Sequence, residues 1–425
     1  MSDSSPTQDP HASSEAAPRG AASAGAASAG AASAGAGGRA RDVNSTPASA
    51  PVEIELPAGP AWRMPTDFAI AVRPNGRGAN PVLPDPSERR QPMRGYDEQY
   101  VDIVDYIVRI TDRIWEDQDV GYIYDTYSPT SRVYDDSGMQ YGVERVVAGT
   151  IATIHAFPDS RHYADDVIWA GDEDQGFATS HRAINVGYHT GPWRWGPPSG
   201  RKINLWVIAN CVSRENEIHD EWVLYNTVAR LEQCGVDVVA AARAYGDELP
   251  ATTADRVLTE VERLVGGRSP KPYPASTRAG FDVEHAMRGL WHDVYNRRDL
   301  SAIDRIYAQN VRWHGTSNRE GYGRAEVRKM ARGLLATFPD LGMHVDEVYW
   351  MGNEQEGFRV SVRWTAIGTH RGYGLYGRPT GRRVHLWGLS QLYVQGGRIV
   401  EDWMLFNEFD VMAQLLRQEP LPLLP

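Results

Sequence analysis

A carboxylate stands directly before a tryptophan in two near-identical stretches, "IHDEWVLYN" (Ile218–Asn226) and "IVEDWMLFN" (Ile399–Asn407). Burial in an apolar wall penalises the charged form of a carboxyl, so its pKa climbs toward neutrality. It can then accept a proton from a substrate carbon and hand it back to an oxygen. Glu221 and Asp402 are the candidates for that work. An imidazole on the same wall can donate to charge developing on a substrate oxygen, and His385 in "RRVHLWGLSQ" is the candidate there; the first copy carries Asn204 instead. Cysteine occurs only at Cys211 and Cys234, and no ligand cluster has metal spacing, so neither a metal nor a cofactor is expected.

These residues need a hairpin to position them. "QGGR" places Gly396–Gly397 at a two-residue turn, where both central positions want positive φ. Counting back from that turn by twos puts His385, Trp387, Leu389, Gln391, Asp402, Met404 and Phe406 on one face, an apolar wall dotted with polar groups. Leu386, Ser390, Leu392, Glu401, Trp403 and Leu405 take the other face, suited to contact with a second sheet. With Glu215–Asn216 as the turn, the first copy puts Asn204, Trp206, Ile208, Asn210, Glu221, Val223 and Tyr225 on its wall. A one-residue slip exchanges the faces and brings Glu401 and Asp220 forward instead. Further pocket candidates are His314, Arg363, His370 and, in the first copy, His189; a hydrogen bond holding a loop is the alternative role for His370 and His189.

The repetition extends well beyond the hairpin. "FPDSRHYADDVIWAGDEDQGF" (Phe157–Phe177) lies over "FPDLGMHVDEVYWMGNEQEGF" (Phe338–Phe358), and "PSGRKINLW" (Pro198–Trp206) over "PTGRRVHLW" (Pro379–Trp387). The offset is constant, since 338 − 157, 379 − 198 and 403 − 222 all equal 181. One register held over so long a stretch means two copies of one domain. Each copy reads as an amphipathic helix, a short helix and strand, another helix, then four long alternating strands. That order predicts an α+β domain with helices packed on a curved, mainly antiparallel sheet enclosing a cone-shaped pocket. The expected organisation is a disordered low-complexity tail over 1–60 ("AASAGAASAGAASAG"), an extended Pro/Arg-rich arm over 61–94, domains over 95–240 and 280–420, and a helical linker over 241–279.

With a net charge of −11 and no basic stripe, the chain repels phosphate backbones, which argues against nucleic acid. No apolar run is long enough for a membrane span, and the N-terminus lacks a secretory pattern, so a cytoplasmic protein is expected.

Together "HG" at His314–Gly315, "FPD", "GTHRG", "PTGRRV" and "GRIVEDW…N…QL" resemble the SnoaL-like polyketide and ester cyclases of the nuclear transport factor 2-like superfamily. The resemblance implies two tandem cone-fold domains acting without a cofactor on a small hydrophobic carbonyl compound. Ring closure by intramolecular aldol addition removes a proton from a carbon between two carbonyls and protonates the attacked oxygen. One carboxylate of raised pKa can do both, while the cavity orders a flexible chain. It also implies that the two copies pair within the chain, burying Trp222 and Trp403, with further self-association as an extension. Two other readings stay open: a non-catalytic pseudo-dimer holding an apolar ligand, and a dehydratase or epoxide hydrolase in which Asp402 and Gln391 position one water.

Overall fold

The computed structural model describes residues 62–72, 90–248 and 270–418. The expected tail, most of the arm and the middle of the expected linker lie outside the described residues.

The first domain opens with α1 (Ile103–Trp115), started by Asp102, whose side chain accepts the Asp105 N–H. Its apolar stripe, including Ile103, Ile107, Ile110 and Ile114, is buried against the sheet. After a short 3₁₀ turn come α2 (Ile123–Thr126), β1 (Tyr127–Asp135), β2 (Gly138–Tyr141) and α3 (Val143–Ala156). Four long strands follow: β3 (Arg161–Asp172), β4 (Gly176–Tyr188), β5 (Lys202–Arg214) and β6 (Glu217–Leu224). Two helices, α4 (Thr227–Cys234) and α5 (Val238–Glu248), close the unit.

The second domain repeats the order. It has α6 (Val283–Trp291), α7 (Ala302–Ile306), β7 (Tyr307–Gly315), β8 (Arg319–Tyr322) and α8 (Arg324–Thr337). It continues with β9 (Gly342–Asn353), β10 (Gly357–Thr369), β11 (Arg383–Gln395), β12 (Arg398–Phe406) and α9 (Glu408–Leu416). The sheets run β2-β1-β6-β5-β4-β3 and β8-β7-β12-β11-β10-β9. Only the β1–β6 and β7–β12 pairings are parallel. The strands β2 and β8, four residues each, had no alternating pattern long enough to announce them.

Both hairpin turns sit where expected. Gly396 and Gly397 have φ of 55° and 69°, and Glu215 and Asn216 have 50° and 70°. The register beyond the turns differs from simple counting. Val394 pairs with Ile399, but Tyr393 pairs with Glu401, so Val400 is bulged out. His219 bulges at the matching place in the first domain, between Ser213↔Ile218 and Val212↔Asp220. One extra residue on a single strand reverses the facing of everything after it relative to the partner strand. Asp402, Met404 and Phe406 therefore share a face with Ser390 and Leu392, while Trp403 and Leu405 share one with Trp387, Leu389 and Gln391.

The second of those faces joins the two domains. Trp206, Ile208 and Leu224 pack with Trp387, Leu389 and Leu405 as one buried cluster. The contacts are related by a local twofold. Asn210 Nδ2 donates to Ser361 Oγ at 3.1 Å, and Gln391 Nε2 donates to Ser180 Oγ at 2.9 Å. The Arg182 guanidinium lies 4.1 Å from the Trp403 ring, and that of Arg363 lies 4.0 Å from the Trp222 ring. Each pair is 181 residues apart (391 − 210, 361 − 180, 363 − 182). The expected pairing is thus isologous within one chain. Residues 62–72 lie across both domains: the Arg63 carbonyl accepts from Gly171 N–H and the Pro65 carbonyl from Gly352 N–H.

Candidate functional site

Each domain has a chamber between its first helix and the inner face of its sheet. In the first domain Glu221 and Val223 of β6, with Tyr225 just past its end, form one wall, opposed by Ile107, Thr111 and Trp115 of α1, with about 60 Å³ of free volume. In the second, Asp402 and Met404 face Trp291, Tyr295 and Met330, with about 20 Å³ left. The first has room for a few waters, the second for about one.

Both carboxyls end a hydrogen bond from a tyrosine. Tyr127 Oη donates to Glu221 Oε2 at 3.0 Å, and Tyr307 Oη donates to Asp402 Oδ2 at 2.7 Å. The other Asp402 oxygen is buried without a partner among the described residues. Burial pushes each carboxyl up to about 7, against the smaller opposite pull of the tyrosine bond. A group of that kind is half-protonated near neutral pH and can serve as acid or base. Sequence reasoning missed the tyrosines, although they were detectable: Tyr127 precedes Tyr134 by seven residues, and Tyr307 precedes His314 by seven.

Several expected pocket residues lie elsewhere, and the bulge explains most of them. Trp387 and Trp206 belong to the interdomain core. Gln391 accepts from Arg182 Nη1 at 2.7 Å, and Asn210 bonds Ser361. His385 alternates with Trp387 and Gln391 and so points away from Asp402, near Gln414, whose Oε1 accepts the His385 backbone N–H. The carboxylate–amide pair considered for positioning water therefore does not form. His314 stacks on Trp403 with ring centroids 3.6 Å apart and is bonded to Glu320 and Glu401, outside the chamber. Arg363 sits 3.7 Å from Asp346 and from Glu347, on the interdomain side. His370 and His189 hold loops: the Nδ1 of His370 accepts the Thr380 N–H, and that of His189 the Ser199 N–H, both at 3.3 Å.

The two chambers differ in what fills them. The matched residues are Thr111 and Trp291 (offset 180, as for the tyrosines), then Ala183 and Trp364, Val207 and Gly388, His162 and Met343, and His181 and Val362 (offset 181). Trp364, only 1% exposed, occupies space that is open in the first domain. It needs Gly388 opposite, because a Cβ there would lie 2.2 Å from its ring. Gly388→Ala is expected to cost about 1–3 kcal/mol, read as a lower urea midpoint; Val207→Ala in the first domain should cost only about 1 kcal/mol.

His162 and His181 line the first chamber, and burial lowers them to about 3 and about 4. A lowered histidine gives stability that is complete above its unfolded pKa near 6.5 and is lost as pH falls through the folded value. His162→Met, the residue the second domain uses, is therefore expected to retain more of its pH 8 stability at pH 4 than the unaltered protein. Urea midpoints at the two pH values check this. Among the described residues no group of three or more His, Cys, Asp and Glu side chains could hold a metal ion. Nor is any helix among them long and apolar enough to cross a membrane.

The family profile described as SnoaL-like polyketide cyclase matches the chain twice, over residues 105–234 and 285–415. No curated protein matches it. Among solved structures, AclR from Streptomyces galilaeus is 28% identical, covering 31% of this chain and 93% of its own, with a TM-score of 0.27. IdmH from Streptomyces antibioticus is 24% identical, covering 31% and 96%, also with a TM-score of 0.27. TsrD from Streptomyces laurentii is 19% identical, covering 31% and 93%, at 0.27. The two profile matches together span more than half of the chain and coincide with the two helix-and-sheet units, so this protein belongs to the SnoaL-like polyketide cyclase family, in a form with two tandem copies.

Proposed function

We propose that the protein is a cofactor-independent acid–base enzyme of the cyclase, lyase or isomerase type, acting on a small carbonyl compound in the chamber of its first domain. The observation that carries this reading is the buried Glu221 carboxyl, raised to about 7 and held by Tyr127, beside the larger chamber. As carboxylate, Glu221 takes a proton from a carbon flanked by carbonyls. As acid, it returns the proton to the oxygen that becomes a hydroxyl. Tyr127 fixes the carboxyl's orientation and adds a donor at the reacting centre. A carbonyl chain folded in the chamber loses its entropy on binding and not at the barrier.

A structural role suits the second domain better. Its chamber is nearly filled by Trp291 and Trp364, and Asp402 faces about one water's worth of space. The non-catalytic pseudo-dimer reading thus keeps support for that half of the chain.

Exchange of the methylene protons of methyl acetoacetate in D2O tests the reading. The protein is expected to accelerate exchange over buffer, with a rate rising through a midpoint near pH 7. Acceleration retained in Glu221→Gln but lost in Asp402→Asn would move the activity to the second domain. No acceleration at all would leave the ligand-binding reading standing alone.

A further inference from the structure

The first chamber has a second polar end that proton transfer at Glu221 does not use. Asn185 Nδ2 donates to His162 Nε2 at 2.9 Å and also to the Arg161 carbonyl at 3.3 Å. A carbonyl only accepts, so the amide orientation is fixed, and Nε2 of His162 is the acceptor. The neutral ring then carries its proton on Nδ1, which is buried and has no partner among the described residues. Nε2 of His181, also on the chamber wall, is buried without a partner as well.

Arg230 of α4 stands behind this end. It is 6% exposed, its Nε has no hydrogen-bond partner, and among the described residues no carboxylate lies within ion-pair distance of it. Its guanidinium carbon is 5.3 Å from the ring of Tyr225, a wall residue, and 5.9 Å from that of Phe157. Asp136 attracts it from farther off, but the Oδ2 of Asp136 is taken by the Thr227 N–H at 2.9 Å. The second domain has none of these groups. Met343, Val362 and Val411 replace His162, His181 and Arg230, all at the offset of 181 (343 − 162, 362 − 181, 411 − 230). The fold therefore does not require them.

The His162 Nδ1–H and the Arg230 Nε–H, buried without partners among the described residues, cost free energy that the apolar residues of the second domain avoid. An oxygen carrying negative charge would satisfy both. We propose that the substrate of the first domain is an oxo acid: its carboxylate is held at the His162–Arg230 end, and its reacting carbon is presented to Glu221. This rests on the reading of Glu221 given above and adds the substrate class. Glu221 on β6 and Tyr225 just past its end are four residues apart, about 13 Å between Cα atoms in extended chain, and both line the chamber, with the Arg230 guanidinium against the Tyr225 ring. The remaining gap suits a chain of a few carbon atoms.

Levulinate and hexane-2,5-dione test the proposal, since they have equal heavy-atom counts and differ in one carboxylate. Calorimetric or NMR titration of the full chain should show levulinate binding at least tenfold more tightly. Arg230→Val, which copies the second domain, should remove the preference, whereas Glu221→Gln should keep it. If the variant fails to fold, the unaltered protein still decides. Levulinate should move the ring signals of His162 and leave the methyl signals of Met343 and Met404 in place. Equal binding, no binding, or shifts at Met343 instead would overturn the proposal. Failure of the Glu221 reading is separate and shows as unaltered proton exchange in Glu221→Gln.

Discussion

Glu221→Gln is expected to lower turnover by about 10²–10⁴-fold, the usual contribution of a general acid–base group. The same substitution should make the protein more stable at pH 8. The Glu221 carboxyl sits at about 7, above its ordinary 4.5, because burial disfavours its charge. A raised group favours the native state at low pH, and that advantage is lost as pH rises through the folded value. By pH 8 the loss is on the order of 3 kcal/mol, at about 1.36 kcal/mol per unit. Glutamine has no charge to bury and can still accept the Tyr127 hydroxyl proton, so it escapes the loss. The stability difference between variant and parent should vanish near pH 4 and grow to its full size above 7. Urea titrations across that range check it, and equal stability at pH 8 would mean the carboxyl is solvated.

The second large effect is expected at the interface. The Arg182 side chain is 3% exposed, bonds Asp165 at 2.7 Å, Gln391 at 2.7 Å and Tyr393 at 2.8 Å, and lies over Trp403. Arg182→Met leaves the buried Gln391 carbonyl and the half-buried Tyr393 hydroxyl without their donor, so about 3–5 kcal/mol should be lost. Its twofold mate behaves differently. Arg363 is 20% exposed with its carboxylates at 3.7 Å, a looser arrangement, and Arg363→Met should cost about 1 kcal/mol. Equal losses at both positions would show that the twofold governs energy as well as geometry.

Much of this architecture could be read from the chain alone. The constant offset gave the duplication, the Gly396–Gly397 turn gave the last hairpin, and Trp222 and Trp403 were expected between the domains. Glu221 and Asp402 were singled out by type and position. Their neighbours were not, because Val400 and His219 bulge, and no residue preference marks a bulge away from glycine. The shift carried Trp387, Gln391, Trp206 and Asn210 to the opposite face. Tyr127 and His162 were missed for another reason: each lines the chamber from a strand distant in sequence from the hairpin. Only tertiary packing brings β1 and β3 around Glu221.

Fusing the two copies also changes how the chambers can diverge. In an assembly of two identical chains, a threonine replaced by tryptophan would fill both cavities at once. Here Trp291 and Trp364 could close one half while Thr111 and Ala183 keep the other open. Covalent linkage thus frees one half from the chemical demands on its twin, so that it can be shaped mainly as a rigid support.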